Sequence, residues 1–473
     1  MRTLVITFFL LVATTIAAQE FYTGLIEKEG EYEKIPQKAT LLTRDYKNMP
    51  SRYSLEAYCP TPLSQGQYGT CTSWAAAYAA RTITEAVNNH WTDSAIINRE
   101  AFSPPFLYKH IKNYNDYNCQ NGSAIPDALS QMKAKGVPKL KNFNIWCADK
   151  IPAEIYRQAT NYRIDDYFTL FWEEDSYSKK INATKKAISQ NRPVIIGMDV
   201  YDSFSSWSIK NVWNGEMNGK LGGHAMCVVG YDDNKYGGAF LLMNSWGNRW
   251  GNNGFIWVTY RDYWKHTHYG GEIYVKAKPQ PKPKPKPTPE PKPQPKPKPT
   301  LSGSMYLQLS TGEKMGFKYN AMNYPHYETQ DEYISGTRYR VYVSNNAPAY
   351  VYIIGSDLHN NVSKVFPPAE NISPALVYST NNIAIPDEKW FIEMDNTSGK
   401  DYLCILYSPK ALPINEIIEK IKTNEGSFYD KMKASLNSTL LNKEEVEFEQ
   451  SSITFKANTD EQVVPLIVEV KHK

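Results

Sequence analysis

The chain has 473 residues, 41% of them hydrophobic, and a formal charge of +4 from 53 basic and 49 acidic side chains. That length suits two or three domains, and six cysteines spread over it exclude a disulfide scaffold while allowing one or two bridges. Eight Lys and one Glu fall in residues 276–300, so the rest of the chain is net −3, which excludes a basic nucleic-acid groove.

Residues 1–18, "MRTLVITFFLLVATTIAA", join a basic start to an apolar run ending near Val12 and small residues at Ala17 and Ala18. This predicts a secretory signal cut near Ala18, because the run is too short to span a bilayer. A secreted, periplasmic or cell-surface protein without a membrane anchor is expected. In residues 19–48, Gly24, Gly30 and Pro36 interrupt any long helix, and apolar residues are too sparse to form a lobe.

Residues 49–275 form the next unit, helix-like in its first half (Ala75 to Ala86 and "IPDALSQMKAKG") and strand-like in its second ("RPVIIGMDV", "GHAMCVVGYDD", "GAFLLMNSWG", "GFIWVTY"). In "SQGQYGTCTSWAAAYAAR", Cys71 fits a buried small hydrophobe, half of a disulfide or a nucleophile, and the stretch alone leaves all three open. A thiol attacks only as thiolate. The first turn of a helix favours that anion through its unpaired N–H groups and dipole. A histidine to hold the proton and a group to fix its tautomer would complete the chemistry. His224 heads an apolar strand, where its tip can face a cleft or simply sit satisfied in the core. Asn244 ends another strand and can accept from an imidazole while Trp246 shields that bond from water. His266 and His268, in "KHTH", have no further ligand pattern beside them, so a solvated loop is expected there, with no metal and no cofactor.

Alternating Pro and Lys in residues 276–300 rule out helix and sheet. The expected state is polyproline II, reaching roughly 75 Å. A plain spacer is the simpler reading, and contact with an anionic cell-surface polymer the sharper one. Residues 301–473 carry short strand-like runs at 339–345, 349–355, 382–386, 389–394 and 401–408, as a β-sandwich or barrel requires. Ile414, Ile417, Ile418 and Ile421 share one helix face, and Cys404 reads as core.

Three motifs in order, "QGQYGTC", "GHAMCVVGYDD" and "NSWGNRWGNNGF", resemble the papain family of cysteine peptidases over roughly 225 residues. The resemblance implies an α+β fold with a helical lobe and a β-barrel-like lobe. It makes Cys71 the nucleophile, His224 the general base and acid, Asn244 the residue that orients His224, and Trp246 its cover. Gln65 becomes an oxyanion donor beside the Cys71 N–H. "NCQNGSAIPDAL" is similar to the family's substrate-side stretch, which implies Gly122 and Ser123 as substrate-binding residues; Gly223 and Trp246, in the other two motifs, are expected to bind substrate as well. The resemblance also implies a Cys119–Cys147 disulfide. Tyr68 and Thr72 stand where the family usually has Cys and Trp, and 153 and 173 residues separate Cys71 from His224 and Asn244, as longer loops would give.

The expected function is an exported bacterial cysteine endopeptidase, monomeric, acting on protein or peptide substrates. The alternatives are an acyl transferase of similar Cys-His chemistry and a dead surface-binding protein. Residues 301–473 resemble an uncharacterised β domain appended to bacterial exported enzymes, which implies a binding or scaffolding accessory. Because residues 19–48 are too short for a conventional prosegment, a chain starting at Gln19 is expected to be active at once. An extended strand across the cleft is the alternative. Cutting the linker is expected to release a working catalytic fragment.

Overall fold

Five alanines, Ala75, Ala76, Ala77, Ala79 and Ala80, let one helix pass through the centre of a lobe without a polar face. It begins as Cys71–Ser73, widens through Trp74–Arg81 and ends as Thr82–Asn88, with every residue from Cys71 to Arg81 buried. A helix that is apolar all round belongs inside. Its one deep charge, Arg81, is neutralised by Glu85 at 2.7 Å and lies over the Phe102 ring. Helices Pro104–Ile111 and Ile125–Ala134 share this core. The computed structural model describes residues 21–206, 209, 211–277, 300–321, 324–357 and 361–473. Residues 1–18, expected to be a secretory signal, and most of the Pro/Lys linker lie outside the described residues.

The second lobe is a sheet whose strands Asp166–Trp172, Thr267–Tyr274, Val194–Tyr201, Lys220–Asp232, Ala239–Met243 and Phe255–Thr259 are neighbours in that order, each pair antiparallel. The expected helix-then-strand division of the unit is therefore realised as two lobes. Their shared boundary places the start of the buried helix against the strand that bears His224. His266 and His268 do not form the solvated loop expected of them. His266 closes the helix Tyr260–His266 and is buried between Tyr201 and Trp213, while His268 lies on the strand Thr267–Tyr274. Ring packing, invisible in "KHTH" itself, draws His266 in, while His268 faces the carboxylates of Glu173 and Asp199. Among the described residues no group of three His, Cys, Asp or Glu is arranged to hold a metal ion.

Residues 301–473 form a sandwich of a six-stranded and a seven-stranded sheet. Leu307, Val341, Val351, Ile353, Ile405 and Leu466 fill the space between them. The helix Ile414–Thr423 covers the outer face of the second sheet with Ile417, Ile418 and Ile421, against a cluster that includes Cys404. The 389–394 run contributes only Ile392–Glu393 to a strand, because Asp387 accepts the N–H groups of Lys389 and Trp390 and turns the chain there.

The expectation of two units joined only by a spacer needs correction. Gln37–Lys38 pairs in parallel with Thr169 on one side and with Ile372–Ser373 on the other, which splices the two domains into one sheet. Phe168 and Tyr274 of the first domain share a core with Tyr350 and Tyr352 of the second. Arg192 donates to the Val377 carbonyl at 2.7 Å. The segment before the catalytic unit, residues 37–38, thus bridges the two domains. A cut within 278–299 is therefore expected to leave both parts in one complex that elutes together in gel filtration at physiological salt.

Cys119 and Cys147 are joined by a disulfide that closes a 28-residue separation, while Cys59, Cys71, Cys227 and Cys404 are free and buried. A loop of that length is worth about 3.6 kcal/mol by chain-entropy reasoning. Cys119→Ala with Cys147→Ala is expected to lower the urea midpoint accordingly, measured by fluorescence at fixed pH.

Candidate active site

Cys71 opens the buried helix, and its Sγ accepts the N–H of Ala225 at 3.4 Å. That residue follows His224 on the strand Lys220–Asp232, whose register sets His224 opposite Met198. His224 Nε2 lies 2.8 Å from Asn244 Oδ1. The same oxygen takes the N–H of Ser245 at 2.7 Å. An oxygen serving two neighbours in this way can only accept, so Nε2 carries the imidazole proton. Nδ1 is then the bare lone pair, and it is buried with no hydrogen-bond partner. Trp246 stacks on the imidazole with ring centres 4.7 Å apart.

Gln65 is tied into the same corner. Its N–H donates to the Ser245 carbonyl at 2.8 Å, and Ser245 Oγ donates to Gln65 Oε1 at 2.7 Å. The amide nitrogen is thereby turned inward, donating to Tyr68 O at 2.7 Å and Thr23 O at 3.3 Å. Ser245 was not singled out from the sequence. The signal for it is present in "NSWG", since a hydroxyl beside Asn244 is the one group that can reach both strands of this corner. The two departures at Tyr68 and Thr72 also find structural uses. Tyr68 stacks on Trp146, beside the disulfide, and Thr72 Oγ1 donates to the Ser123 carbonyl at 2.9 Å.

The site is covered by the chain's own N-terminal segment. Phe21 packs on Trp246 at 4.8 Å, and the Tyr22 carbonyl accepts Trp246 Nε1–H at 2.8 Å. Next, the Thr23 carbonyl faces Gln65. Leu25 N donates to Gly223 O at 3.1 Å, Ser123 N to Gly24 O at 2.9 Å and Ile26 N to Ser123 O at 3.2 Å. These bonds make a parallel bridge between Leu25 and Ser123. Glycine is required on both sides of the crossing: a Cβ on Gly122 would overlap Gly24 O, and one on Gly24 would overlap Gly69 O. Leu25 enters a hollow whose floor is Gly197, where a Cβ would sit 2.8 Å from Leu25 Cδ2. The expectation that residues 19–48 leave the cleft open is corrected. The contacts are mostly backbone to backbone, so the paucity of apolar residues does not prevent them.

All of the sequence-predicted site residues meet here: Cys71, His224, Asn244, Gln65 and Trp246 at the lobe boundary, and Gly122, Ser123 and Gly223 along the covering segment. Cys71 and His224 are both fully buried. Burial pushes the Cys71 thiol up to about 11, against the lowering effect of the Ala225 N–H. It pushes His224 down to about 4, against the bond to Asn244. With the segment seated, both groups are neutral across the ordinary pH range.

Residues 57–274 match the family described as papain family cysteine protease, and residues 332–411 match a domain of unknown function (DUF4384). Among curated proteins, an uncharacterized peptidase C1-like protein of Acanthamoeba polyphaga mimivirus is 27% identical over 215 residues, 42% of this chain and 64% of that protein. The cysteine proteinase COT44 of Brassica napus is 28% identical over 197 residues, 41% of this chain and 53% of that protein. The chain thus spans between half and two thirds of the length of these relatives. Among solved structures, xylellain, a cysteine protease from Xylella fastidiosa, aligns with a TM-score of 0.46 at 21% identity, over 55% of this chain and 97% of that one.

Proposed function

We propose, from the membership of residues 57–274 in the papain family of cysteine proteases, that the protein is a cysteine endopeptidase kept silent by residues 21–27. The observation that carries the reading is the assembly of Cys71, His224, Asn244 and Gln65 in one buried corner, with the imidazole lone pair left bare.

In the open enzyme, His224 Nδ1 takes the Cys71 proton and the helix N-terminus steadies the thiolate. The sulfur attacks a substrate carbonyl, whose oxygen moves to the Gln65 amide and the Cys71 N–H. His224 then returns the proton to the leaving amine, and water activated by the same imidazole hydrolyses the thioester. The leaving amine must lie on the imidazole side, under Trp246, so the acyl part of a substrate runs along Gly122, Ser123 and Gly223. A substrate therefore passes from Ser123 toward Trp246 in its N-to-C direction. Residues 21–26 pass the opposite way, which supports inhibition rather than self-cleavage. Export through the N-terminal signal, a monomeric state, a bacterial source and cell-surface contact through residues 276–473 complete the proposal, with proteins or peptides as substrates.

The test is stoichiometric alkylation. In enzyme freed of residues 21–27, iodoacetamide at pH 6 is expected to modify Cys71 alone and to abolish peptide hydrolysis in step. Burial holds the thiols of Cys59, Cys227 and Cys404 well above their ordinary values, so they do not compete. Full modification of Cys71 with turnover intact would reject the assignment.

A further inference from the structure

The sandwich carries a second group of chemistry-bearing side chains at one end. Its strands Gly399–Ser408 and Val464–His472 are antiparallel neighbours, with His472 opposite Gly399 and Val470 opposite Asp401. Residues 470 and 472 share one face of their strand, and Val470 belongs to the sandwich core. His472 therefore sits at the rim of that core, and glycine at 399 leaves room for its ring. The His472 side chain is fully buried. On its other side His472 pairs with Tyr333, the last residue of the strand His326–Tyr333. From there the chain crosses to the other sheet, where the strand Arg338–Asn345 begins. The crossing is a tight turn closed by Thr337 N donating to Ile334 O at 3.1 Å, with Gly336 at a φ of +81°. Ser335 stands at its first inner position.

These elements align three side chains. His472 Nδ1 lies 3.1 Å from Asp401 Oδ2, with Asp395 Oδ1 at 4.0 Å. A carboxylate only accepts, so Nδ1 carries the imidazole proton and Nε2 is a lone pair. Ser335 Oγ is 3.1 Å from Nε2 and donates to it. Hydroxyl, imidazole and carboxylate thus follow one another in the order that activates a serine. Gly336 N turns away to Met394 O at 3.0 Å, while the Ser335 N–H has no acceptor among the described residues. A free N–H on the attacking residue is where one oxyanion donor belongs. Ser335 is half-buried and Ile334 beside it is 64% exposed, so a reactant can arrive from solvent.

We propose that Ser335, His472 and Asp401 form a second hydrolytic site, in the sandwich domain, that cleaves carboxylic esters. Ser335 Oγ bonds to the ester carbonyl carbon as its proton passes to His472 Nε2. The bond to the alcohol oxygen then breaks, and the alcohol leaves with that proton. Water adds its hydroxyl to the acyl carbon, its proton returns to Ser335 Oγ through the imidazole, and the free acid departs. Asp401 holds the tautomer throughout. An ester suits the site better than an amide, because an alcohol leaves with less help from an acid than an amine does. The site shares no residue with the Cys71 corner, and the proposal is independent of the peptidase reading.

The experiment uses the full chain carrying Cys71→Ala, which silences the other nucleophile, so the two readings fail separately. The chain is treated with a fluorophosphonate, whose phosphorus is attacked in place of an acyl carbon and whose fluoride leaves, and the label is located by mass spectrometry. Hydrolysis of p-nitrophenyl acetate is followed in parallel. Ser335 is expected to carry the label, and Ser335→Ala to abolish labelling there and lower ester turnover at least tenfold. That substitution lies in a solvent-facing turn, so its urea midpoint should match that of its parent. His472→Gln and Asp401→Asn should each slow labelling of Ser335 by about 100-fold or more. Unfolding the chain in urea should abolish it, since a serine without its imidazole is inert. An unlabelled Ser335, or one labelled as fast in the His472→Gln chain or in urea, overturns the proposal.

Discussion

His224→Ala, in enzyme freed of its N-terminal piece, is expected to lower kcat/KM for a peptide by about 10⁴-fold or more, because nucleophile and base act as a unit. In the proposed mechanism the imidazole receives the thiol proton and later delivers it to the leaving amine. The side chains bonded or stacked around it in that corner, Asn244, Gln65, Ser245 and Trp246, cannot take over that proton. The variant should also move the pH dependence of Cys71 alkylation. With no imidazolium beside it, the thiol returns toward its ordinary value near 8.5, so reactivity at pH 6 falls and recovers only above pH 8. Circular dichroism and the urea midpoint should stay close to the wild type. A loss of less than tenfold in kcat/KM would remove His224 from the chemistry.

Leu25→Asp is expected to switch on the uncut chain, raising its initial rate on a short peptide at least 100-fold. The uncut wild-type chain is expected to be silent from pH 5 to 9. While the segment is seated, His224 gains a proton only below about pH 4 and Cys71 loses one only above about 11, so the dyad is neutral throughout that window. Leu25 sits against Gly197 and Gly223, with the Ile125 side chain also beside Gly197. A carboxylate there would be buried without a partner, at a cost of several kcal/mol, and the backbone bonds to Gly223 and Ser123 are too few to hold the segment against it. Progress curves without a lag, together with an unchanged mass on a gel, are the expected record. An uncut Leu25→Asp chain as silent as the wild type would show that the segment does not gate the site.

Much of the site was legible because its chemistry is written in short, local patterns. Gln65 and Cys71 are held in register by one turn and the start of one helix. His224 lies within the strand Lys220–Asp232 and Asn244 follows the neighbouring strand Ala239–Met243, so the strand-like pattern already places them in adjacent strands. The first of these strands begins four residues before His224 rather than at it. The two-lobed division and the sandwich followed from periodicity and turn residues for the same reason. Ser245 was overlooked because its partner, Gln65, lies 180 residues away. The burial of His266 depends likewise on rings supplied by Tyr201 and Trp213.

The sequence by itself pointed to the side chains proposed to carry the chemistry, through three motifs in order that resemble those of one peptidase family. Only the tertiary structure decided whether they are free to do it. Residues 21–26 occupy the cleft through backbone groups that every residue type possesses, and residues 37–38 join the domains through the same kind of pairing. A backbone hydrogen bond leaves almost no mark on composition or periodicity. Gly24 is the one trace: it reads as a helix breaker in the chain, and its necessity lies in the closeness of Gly69 and Gly122, which only folding brings to it.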